Sequence, residues 1–162
     1  MITRTKSTVD ENEGIILFIE IKIHRDMKNL LQQVYDELGP GYSERVYHNA
    51  LEVLLREHGI PYETERIIPI VFRGHTIGNM RADLIVNKQT IVELKSVKSL
   101  TDAYRTQVQC YLRLLGLQQG LLVNFGSSDG LSMELIVEKS LQSPSDPVPT
   151  SLDPSVPPPW LQ

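Results

Sequence analysis

The chain of 162 residues lacks the features that mark secreted, membrane-spanning and ATP-driven proteins. Its single cysteine, Cys110, cannot form an intramolecular disulfide, and the polar N-terminal residues do not have the charged-then-apolar layout of a secretory signal. The most apolar early run, residues 14–23, contains Glu20 and Lys22 and is shorter than the roughly 20 residues of a membrane-spanning helix. There is neither a Walker A motif nor a G-x-G-x-x-G loop. We therefore expect an intracellular, cytoplasmic protein that does not enter a membrane and has no ATP motor of its own.

Positive charge is also scarce in this chain. The sequence has 16 Lys and Arg residues against 20 Asp and Glu residues, a formal net charge of -4. Domains that coat nucleic acid by bulk attraction are usually strongly basic. Any contact with nucleic acid must therefore be local.

Prolines are concentrated near the C-terminal end, where residues 140–162 hold seven of the ten. Such a segment buries too little apolar surface to offset its ordering entropy, so we predict a disordered or polyproline II tail. The PPPW sequence at residues 157–160 is either a docking motif for a separate protein partner or an unselected part of this tail. We place one compact domain at residues 27–139, after an N-terminal extension of residues 1–26 that includes a predicted strand at 14–23.

The spacing of apolar residues predicts an α/β fold. Residues 27–38 and 43–59 follow the helical period, as two helices or as one bent helix. Residues 62–97 contain three strand-like runs joined by short turns, which is typical of a β-meander. Residues 99–115 begin with the spacing of a capping box and continue as a helix, and residues 119–139 contain two more strands. The predicted order is helix, three-strand meander, helix, two strands.

The stretch RADLIVNKQTIVELK, residues 81–95, places charges in two neighbouring strands. If its turn is centred on Lys88, Asp83 lies opposite Glu93 and Arg81 lies opposite Lys95. The side-chain period of two then puts these four charged residues on one face of the sheet. The other face, which we predict to be core, carries Ala82, Leu84, Val86, Val92 and Leu94.

Two carboxylates directly opposite each other on a sheet destabilise the pair, since their Cβ atoms lie only about 4.5–5.5 Å apart. One interpretation is a surface salt-bridge lattice with Arg81 and Lys95, in which each exposed pair is worth at most about 1 kcal/mol. The other is a divalent cation between Asp83 and Glu93, because Mg²⁺ takes oxygen ligands at about 2.0–2.1 Å and keeps several waters for chemistry.

Two helices carry further polar residues in aligned positions. Tyr104, Gln107 and Tyr111 are spaced i, i+3 and i+7 and share one stripe of their helix. A buried face explains the tyrosines but explains the glutamine less well, since a buried amide needs several hydrogen-bond partners. Glu44 and Tyr47 are likewise at i and i+3, although the helix dipole alone favours a carboxylate in the first turn.

Three motifs in this order resemble a known group of enzymes. GPGYSERVYHNAL, residues 39–51, resembles the signature of the GxxExxY proteins, with Gly41, Glu44 and Tyr47 in the named places. RADLIVNKQTIVELK resembles the PD-(D/E)XK nuclease motif, with Ala82 where the name implies proline. QVQCY, residues 107–111, is similar to the Q-x-x-x-Y box of the RecB-like branch of that superfamily. The resemblance implies a restriction-endonuclease-like core, a central mixed β-sheet flanked by helices.

The resemblance also implies a role for each matching residue. Asp83 and Glu93 would hold Mg²⁺ or Mn²⁺ together with the backbone carbonyl of Leu94. Lys95 would position or activate the attacking water and stabilise the phosphate in the transition state. Glu44 would bind a second metal ion or a water molecule on the metal, Gln107 would orient a water or the motif lysine, and Tyr111 would support its helix or meet a base or sugar. Independently of the resemblance, we expect Arg81 to add a phosphate contact from the same face of the hairpin.

Two functions remain open from the sequence. The first is a metal-dependent nuclease that hydrolyses phosphodiester bonds in nucleic acid, with DNA as the expected substrate. The second is a catalytically silent module that keeps the nuclease fold for binding nucleic acid or protein, which the acidic balance favours. A homodimer would suit the cutting of both strands of a duplex, but nothing in the sequence requires one, and endo or exo cleavage is equally open.

Overall fold

The computed structural model describes residues 11–138, with side chains described from Arg25 onward. It contains three helices and five strands in these ranges: α1 (Glu11–Leu38), α2 (Glu44–Glu57), β1 (Tyr62–Phe72), β2 (His75–Val86), β3 (Thr90–Lys95), α3 (Asp102–Leu115), β4 (Gln119–Asn124) and β5 (Ser132–Val137). This order confirms the predicted α/β class and the helix, meander, helix and two-strand arrangement.

The five strands form one mixed sheet in the order β1-β2-β3-β4-β5. The first three strands are an antiparallel meander, whereas β3 and β4 run parallel because α3 carries the chain across between them. A parallel neighbour requires such a crossover, and a helix of this length provides it. Strand β5 then pairs antiparallel with β4 at the far edge.

Helices cover both faces of the sheet. On one face, α1 and α2 bury residues such as Leu31 and Leu51 against Leu84, Leu94 and other apolar side chains of β2, β3 and β4. On the opposite face, α3 buries Val108 and Leu112 against a second cluster of strand residues. The inner strands are therefore buried on both sides, and every residue of β3 is buried. That pattern is expected for a sheet that carries a parallel pair.

The strand predicted at residues 14–23 is wrong, because this run lies inside the 28-residue helix α1. The sequence contains the reason. Ile16, Ile19, Ile23 and Met27 are spaced by three or four residues, which is the helical period. No glycine or proline interrupts residues 15–38, so nothing ends one element and starts another near residue 26. The predicted boundary between an extension and the domain at residues 26 and 27 therefore falls within one helix.

Helix boundaries were predicted better than helix caps. Helices α1 and α2 are separate, since Gly39 and Gly41 adopt positive φ angles of 69° and 107° between them. The predicted capping box at residues 99–102 is wrong, because the N-cap of α3 is Thr101 and its side chain makes no capping hydrogen bond. Gly116 ends α3 in the left-handed conformation, as expected for a helix terminus.

Residues 1–10 and the proline-rich tail at residues 140–162 lie outside the part of the chain that the structure describes. The predicted tail conformation and the PPPW docking motif therefore stay predictions. Within residues 11–138, no helix is both long enough and apolar enough to cross a membrane.

Candidate active site

The sheet is irregular at Asp83, toward the C-terminal end of β2. The β2–β3 ladder is centred on Lys88, as predicted, and joins Leu84 to Val92 and Val86 to Thr90. It includes no pairing of Asp83 with Glu93 or of Arg81 with Lys95. On its other side, β2 pairs with β1 both before and after Asp83, but the pair of Asp83 with Glu65 is missing and Glu65 has a positive φ of 50°. Asp83 thus lies where β2 begins to separate from β3.

The carboxylate of Asp83 replaces the missing backbone pairing. Its Oδ2 accepts a hydrogen bond of 2.9 Å from the backbone N–H of Leu94.

The irregularity at Asp83 also changes the direction in which the side chain of Ala82 points. Ala82 packs in the cluster under α3, whereas Leu84 packs in the cluster under α1 and α2. The prediction that Ala82 shares a face with Leu84 is therefore wrong, because a strict period of two does not hold across a broken ladder.

Glu93 and Lys95 lie on β3 and form a buried ion pair. The Lys95 Nζ lies 2.8 Å from Oε1 of Glu93, and the two residues are 9% and 1% exposed. Among the described residues, Oε2 of Glu93 is the one buried side-chain oxygen or nitrogen without a hydrogen-bond partner. An unsatisfied buried carboxylate oxygen is costly in a folded protein, so its presence needs an explanation.

The electrostatics of this pair differ between its two members. Burial and, to a smaller extent, the negative charge of Asp83 raise the pKa of Glu93, Lys95 lowers it, and the net pKa is about 7. Burial lowers the pKa of Lys95, but the negative charges of Glu93, Glu44 and Asp83 outweigh burial and leave it above its usual value. Lys95 therefore stays a cation near neutral pH, and Glu93 can change its charge there.

Helix α2 brings Glu44 to the same place. Burial raises the pKa of Glu44, while the charge of Lys95 lowers it and that of Asp83 raises it. Glu44, Asp83 and Lys95 all line one cavity. The loop before Glu44 is held by Tyr47, whose hydroxyl donates to the carbonyl of Gly39 at 2.8 Å and accepts from the N–H of Tyr42. The Tyr47 ring stacks on Phe125 at 4.2 Å between centroids. The tyrosine of the GxxExxY-like motif thus anchors the turn that positions its glutamate.

Helix α3 supports β2 from the opposite side. Gln107 donates a hydrogen bond of 2.8 Å to the hydroxyl of Tyr111, which in turn donates to the backbone carbonyl of Arg81. Gln107 forms no hydrogen bond with Lys95 among the described residues. The Lys95 ammonium lies 5.1 Å from the centre of the Tyr104 ring. The predicted stripe of Tyr104, Gln107 and Tyr111 therefore does face the site. The burial of Tyr111 favours its supporting role over contact with a base or sugar.

Two adjoining cavities contain the residues singled out from the sequence. A cavity of about 420 Å³ is lined by Glu44, Asn79, Met80, Arg81, Asp83, Glu93, Lys95, Gln107 and Tyr111. A second, of about 300 Å³, shares Glu44, Arg81 and Asp83 with it and also contacts His48 and Glu65. Leu94 differs from the rest, because its side chain is core and only its backbone borders Asp83. Asn79 was missed, although its spacing of four from Asp83 in one strand could have indicated it.

The side chains of this site fit a divalent cation that also takes water or substrate oxygens as ligands. Within the described residues, no three His, Cys, Asp or Glu side chains are close enough together to hold an ion by themselves. Mg²⁺, however, is usually bound through one or two carboxylates, several waters and substrate oxygens. Glu93, whose buried Oε2 has no partner, and Asp83 line the same polar cavity and supply two carboxylates of this kind. The residues present therefore fit such an ion.

Comparison with known proteins gives one strong result. The family model described as the PD-(D/E)XK nuclease superfamily matches residues 21–136. No curated protein matches the chain. A solved structure, the crystal structure of SSO0001, is 28% identical over 58% of this chain and 49% of that one, with a TM-score of 0.48. The chain thus spans about half the length of that solved protein.

Proposed function

The chain belongs to the PD-(D/E)XK nuclease superfamily, and we propose that it hydrolyses phosphodiester bonds in DNA with Mg²⁺ or Mn²⁺ as cofactor. The observation that carries this proposal is the buried Glu93 carboxylate, which has one oxygen on Lys95 and the other without a partner. A purely structural ion pair would satisfy both oxygens. We also propose that, within the superfamily, the chain is one of the GxxExxY proteins and belongs to the RecB-like branch.

In this proposal Asp83 and Glu93 hold the cation, with the backbone carbonyl of Leu94 as a third ligand. A divalent cation bound there would polarise a phosphoryl oxygen and offset the negative charge of the transition state. The raised pKa of Glu93 means that its proton must leave before it can act as a ligand. The hydrogen bond from the Leu94 N–H to Asp83 holds the Asp83 carboxylate next to the β3 backbone that carries Glu93 and Leu94.

The other residues act on the phosphate and the water. Hydrolysis forms a bond from a water oxygen to phosphorus and breaks one P–O ester bond. Lys95, which remains protonated, donates hydrogen bonds to the phosphate and neutralises its charge rather than removing a proton. Glu44 accepts a hydrogen bond from the attacking water, and Arg81 contacts a neighbouring phosphate. Gln107 and Tyr111 hold the backbone at Arg81 and so act as positioning residues.

The test is cleavage of defined substrates by the purified chain. Labelled single-stranded DNA, duplex DNA and RNA are incubated with Mg²⁺ or Mn²⁺, using the wild type and the variants Asp83→Ala and Lys95→Ala. We expect metal-dependent cleavage of DNA by the wild type and none by either variant, with unchanged circular dichroism. The exposed Glu57→Gln variant is the matched carboxylate control. Cleavage by both site variants at the wild-type rate would refute the proposal.

One observation favours a second function, a silent binding module. No group of three metal-ligating side chains lies together within the described residues. Such a module would bind nucleic acid or protein without cleaving it. Calorimetric titration with Mn²⁺ separates the two: heat of binding that disappears in Glu93→Gln supports the nuclease, whereas nucleic-acid binding with no Mn²⁺ binding supports the module.

Two partner proposals accompany the nuclease. A homodimer would bring two sites to the two strands of a duplex, and the proline-rich tail would recruit a separate intracellular protein. Analytical ultracentrifugation of the full chain measures its molar mass in solution and so tests the homodimer. Pull-downs with and without residues 140–162 measure the second, with the nuclease assay as the check that the shortened chain is intact.

A further inference from the structure

The β1–β2 hairpin extends beyond the rest of the sheet. Its strands pair from Arg66 with Ala82 to Phe72 with His75, and β2 has no third strand alongside it before Leu84. We call residues 66–82 the hairpin arm. Only its base is anchored, since Ile68 and Ala82 pack under α3. At about 3.3 Å per residue, the arm is about 20 Å long.

The arm is unusually apolar for an exposed element. Its outward-facing large hydrophobic residues are Ile67, Ile77, Phe72 and Val71, at 66%, 64%, 59% and 57% exposure. An apolar group of this size in one element of a well-packed domain marks a binding surface more often than a random surface does. The two-residue turn at Arg73 and Gly74, both at positive φ, gives the tip a defined shape.

The arm also has a charge opposite to that of the whole chain. Residues 66–82 contain Arg66, Arg73, Arg81 and His75 but no Asp or Glu, whereas the chain has a net charge of -4. Arg66 is paired with Glu63 at 3.0 Å. Arg73 and Arg81 make no ion pair with any described residue, and the Arg73 guanidinium lies 5.4 Å from the centre of the Phe72 ring. The hairpin arm is therefore complementary to a partner that carries negative charge and also offers apolar groups for contact.

The exposed face of the arm runs directly into the candidate active site. Asn79 and Arg81 line the 420 Å³ cavity, and their cross-strand partners are Pro69 and Ile67, respectively. Opposite residues of an antiparallel pair share a face. A polymer that occupies the cavity and continues along this face would meet Ile67 and then Val71 before it reaches the tip, where Phe72 and Arg73 lie. The tip lies about 20 Å from Arg81, which is about six base-pair steps of a duplex.

We infer that the hairpin arm binds duplex DNA by lying in its major groove beside the scissile phosphodiester, with Arg73 on a phosphate and Phe72 against base edges. This inference rests on the proposed nuclease function. A two-stranded ribbon fits the major groove, which is about 12 Å wide. A single-stranded substrate is less suited, because stacking platforms for single strands use several aromatic side chains and the arm exposes one.

A second copy of the chain is the other candidate occupant, and two observations disfavour it. Pro69 lies in the edge strand β1 and cannot donate the hydrogen bond that a continuous intermolecular ladder needs at that position. Two arms meeting face to face would also bring their arginines together without an acidic residue between them. The arm is therefore assigned to DNA, and self-association is an outcome that the test must detect.

The experiment measures binding separately from cleavage. A fluorescein-labelled 30-base-pair duplex is titrated in EDTA with the full chain, followed by fluorescence anisotropy at several salt concentrations. The test variants are Arg73→Glu and Phe72→Ala. The matched controls are Arg113→Glu, an exposed arginine of α3, and Leu135→Ala, an exposed apolar residue of β5. Both tip residues are exposed, so thermal melting should be unchanged.

We expect Arg73→Glu to weaken duplex binding about tenfold and to reduce the slope of log affinity against log salt by about one or more. Phe72→Ala should weaken binding without changing that slope, and the controls should bind as the wild type does. In cleavage assays with Mg²⁺, both tip variants should raise KM for the duplex and leave kcat unchanged. A loss confined to single-stranded DNA would overturn the inference.

The outcomes separate this inference from the nuclease proposal. If the wild type binds duplex through the arm but cleaves nothing, catalysis fails and the arm assignment holds. If the wild type cleaves while the tip variants bind as tightly as it does, the arm assignment is overturned and catalysis holds. No measurable duplex binding by the wild type also overturns it, as does a wild-type dimer that Phe72→Ala converts to a monomer with unchanged DNA affinity.

Discussion

The ammonium group of Lys95 lies 2.8 Å from one carboxylate oxygen of Glu93, two residues earlier on the same strand. The other oxygen of that carboxylate is buried without a partner. A strand places residues i and i+2 on one side, so the rigid backbone of β3 presents a carboxyl group and an ammonium group together to one cavity.

Replacing Lys95 by alanine should reduce metal-dependent cleavage by about 100-fold or more, because one preorganised cation aimed at the phosphate is lost. Single-turnover cleavage of duplex DNA measures the effect. The exposed Lys98→Ala variant is the matched control and should cleave normally. Wild-type turnover in Lys95→Ala would mean that the ion pair is only structural.

Replacing Glu93 by glutamine should abolish Mn²⁺ binding in titration calorimetry, since a neutral amide is a poor ligand for a hard cation. In the wild type, Mn²⁺ affinity should increase as pH rises through about 7, the pKa of Glu93, because the ion competes with the bound proton. Affinity that is independent of pH between 6 and 8 would place the ion elsewhere.

The stability of the metal-free protein should fall as pH rises from the usual glutamate range to about 7. Folded Glu93 has the raised pKa, so between the two values the folded state binds more protons than the unfolded state, and the free energy of unfolding decreases with pH. The full difference is on the order of 3 kcal/mol. Urea unfolding in EDTA at pH 5 and pH 8 should show this decrease in the wild type and a smaller one in Glu93→Gln.

Replacing Tyr111 by phenylalanine should destabilise the fold by about 1–2 kcal/mol, since the carbonyl of Arg81 and the amide of Gln107 both lose a partner. Cleavage should fall while Mn²⁺ affinity stays unchanged, because the tyrosine positions β2 rather than the ion. Tyr104→Phe removes the other hydroxyl of the same helix face and is the control. A parallel loss of Mn²⁺ affinity in Tyr111→Phe would contradict the positioning role.

Local chemistry made much of the fold predictable. The turn centred on Lys88 set the register of β2 and β3, because a period of two leaves one pairing that buries the apolar residues. The helical stripe of Tyr104, Gln107 and Tyr111 likewise predicted the face of α3 that meets the site. The strand at residues 14–23 failed because a short apolar run has no clear period of its own, and its membership of α1 depends on the longer pattern.

The sequence by itself determined which residues carry the chemistry: an acid on one strand, an acid and a lysine two residues apart on the next, and a glutamate at the start of a helix. Only the tertiary structure decided how they meet. Helices pack onto both faces of one sheet, and this packing accompanies three features that the sequence does not show. The ladder breaks at Asp83, the Ala82 side chain points toward α3, and one oxygen of Glu93 is buried without a partner. Burial, and with it the raised pKa of Glu93, depends on residues far apart in the chain, which local spacing does not contain.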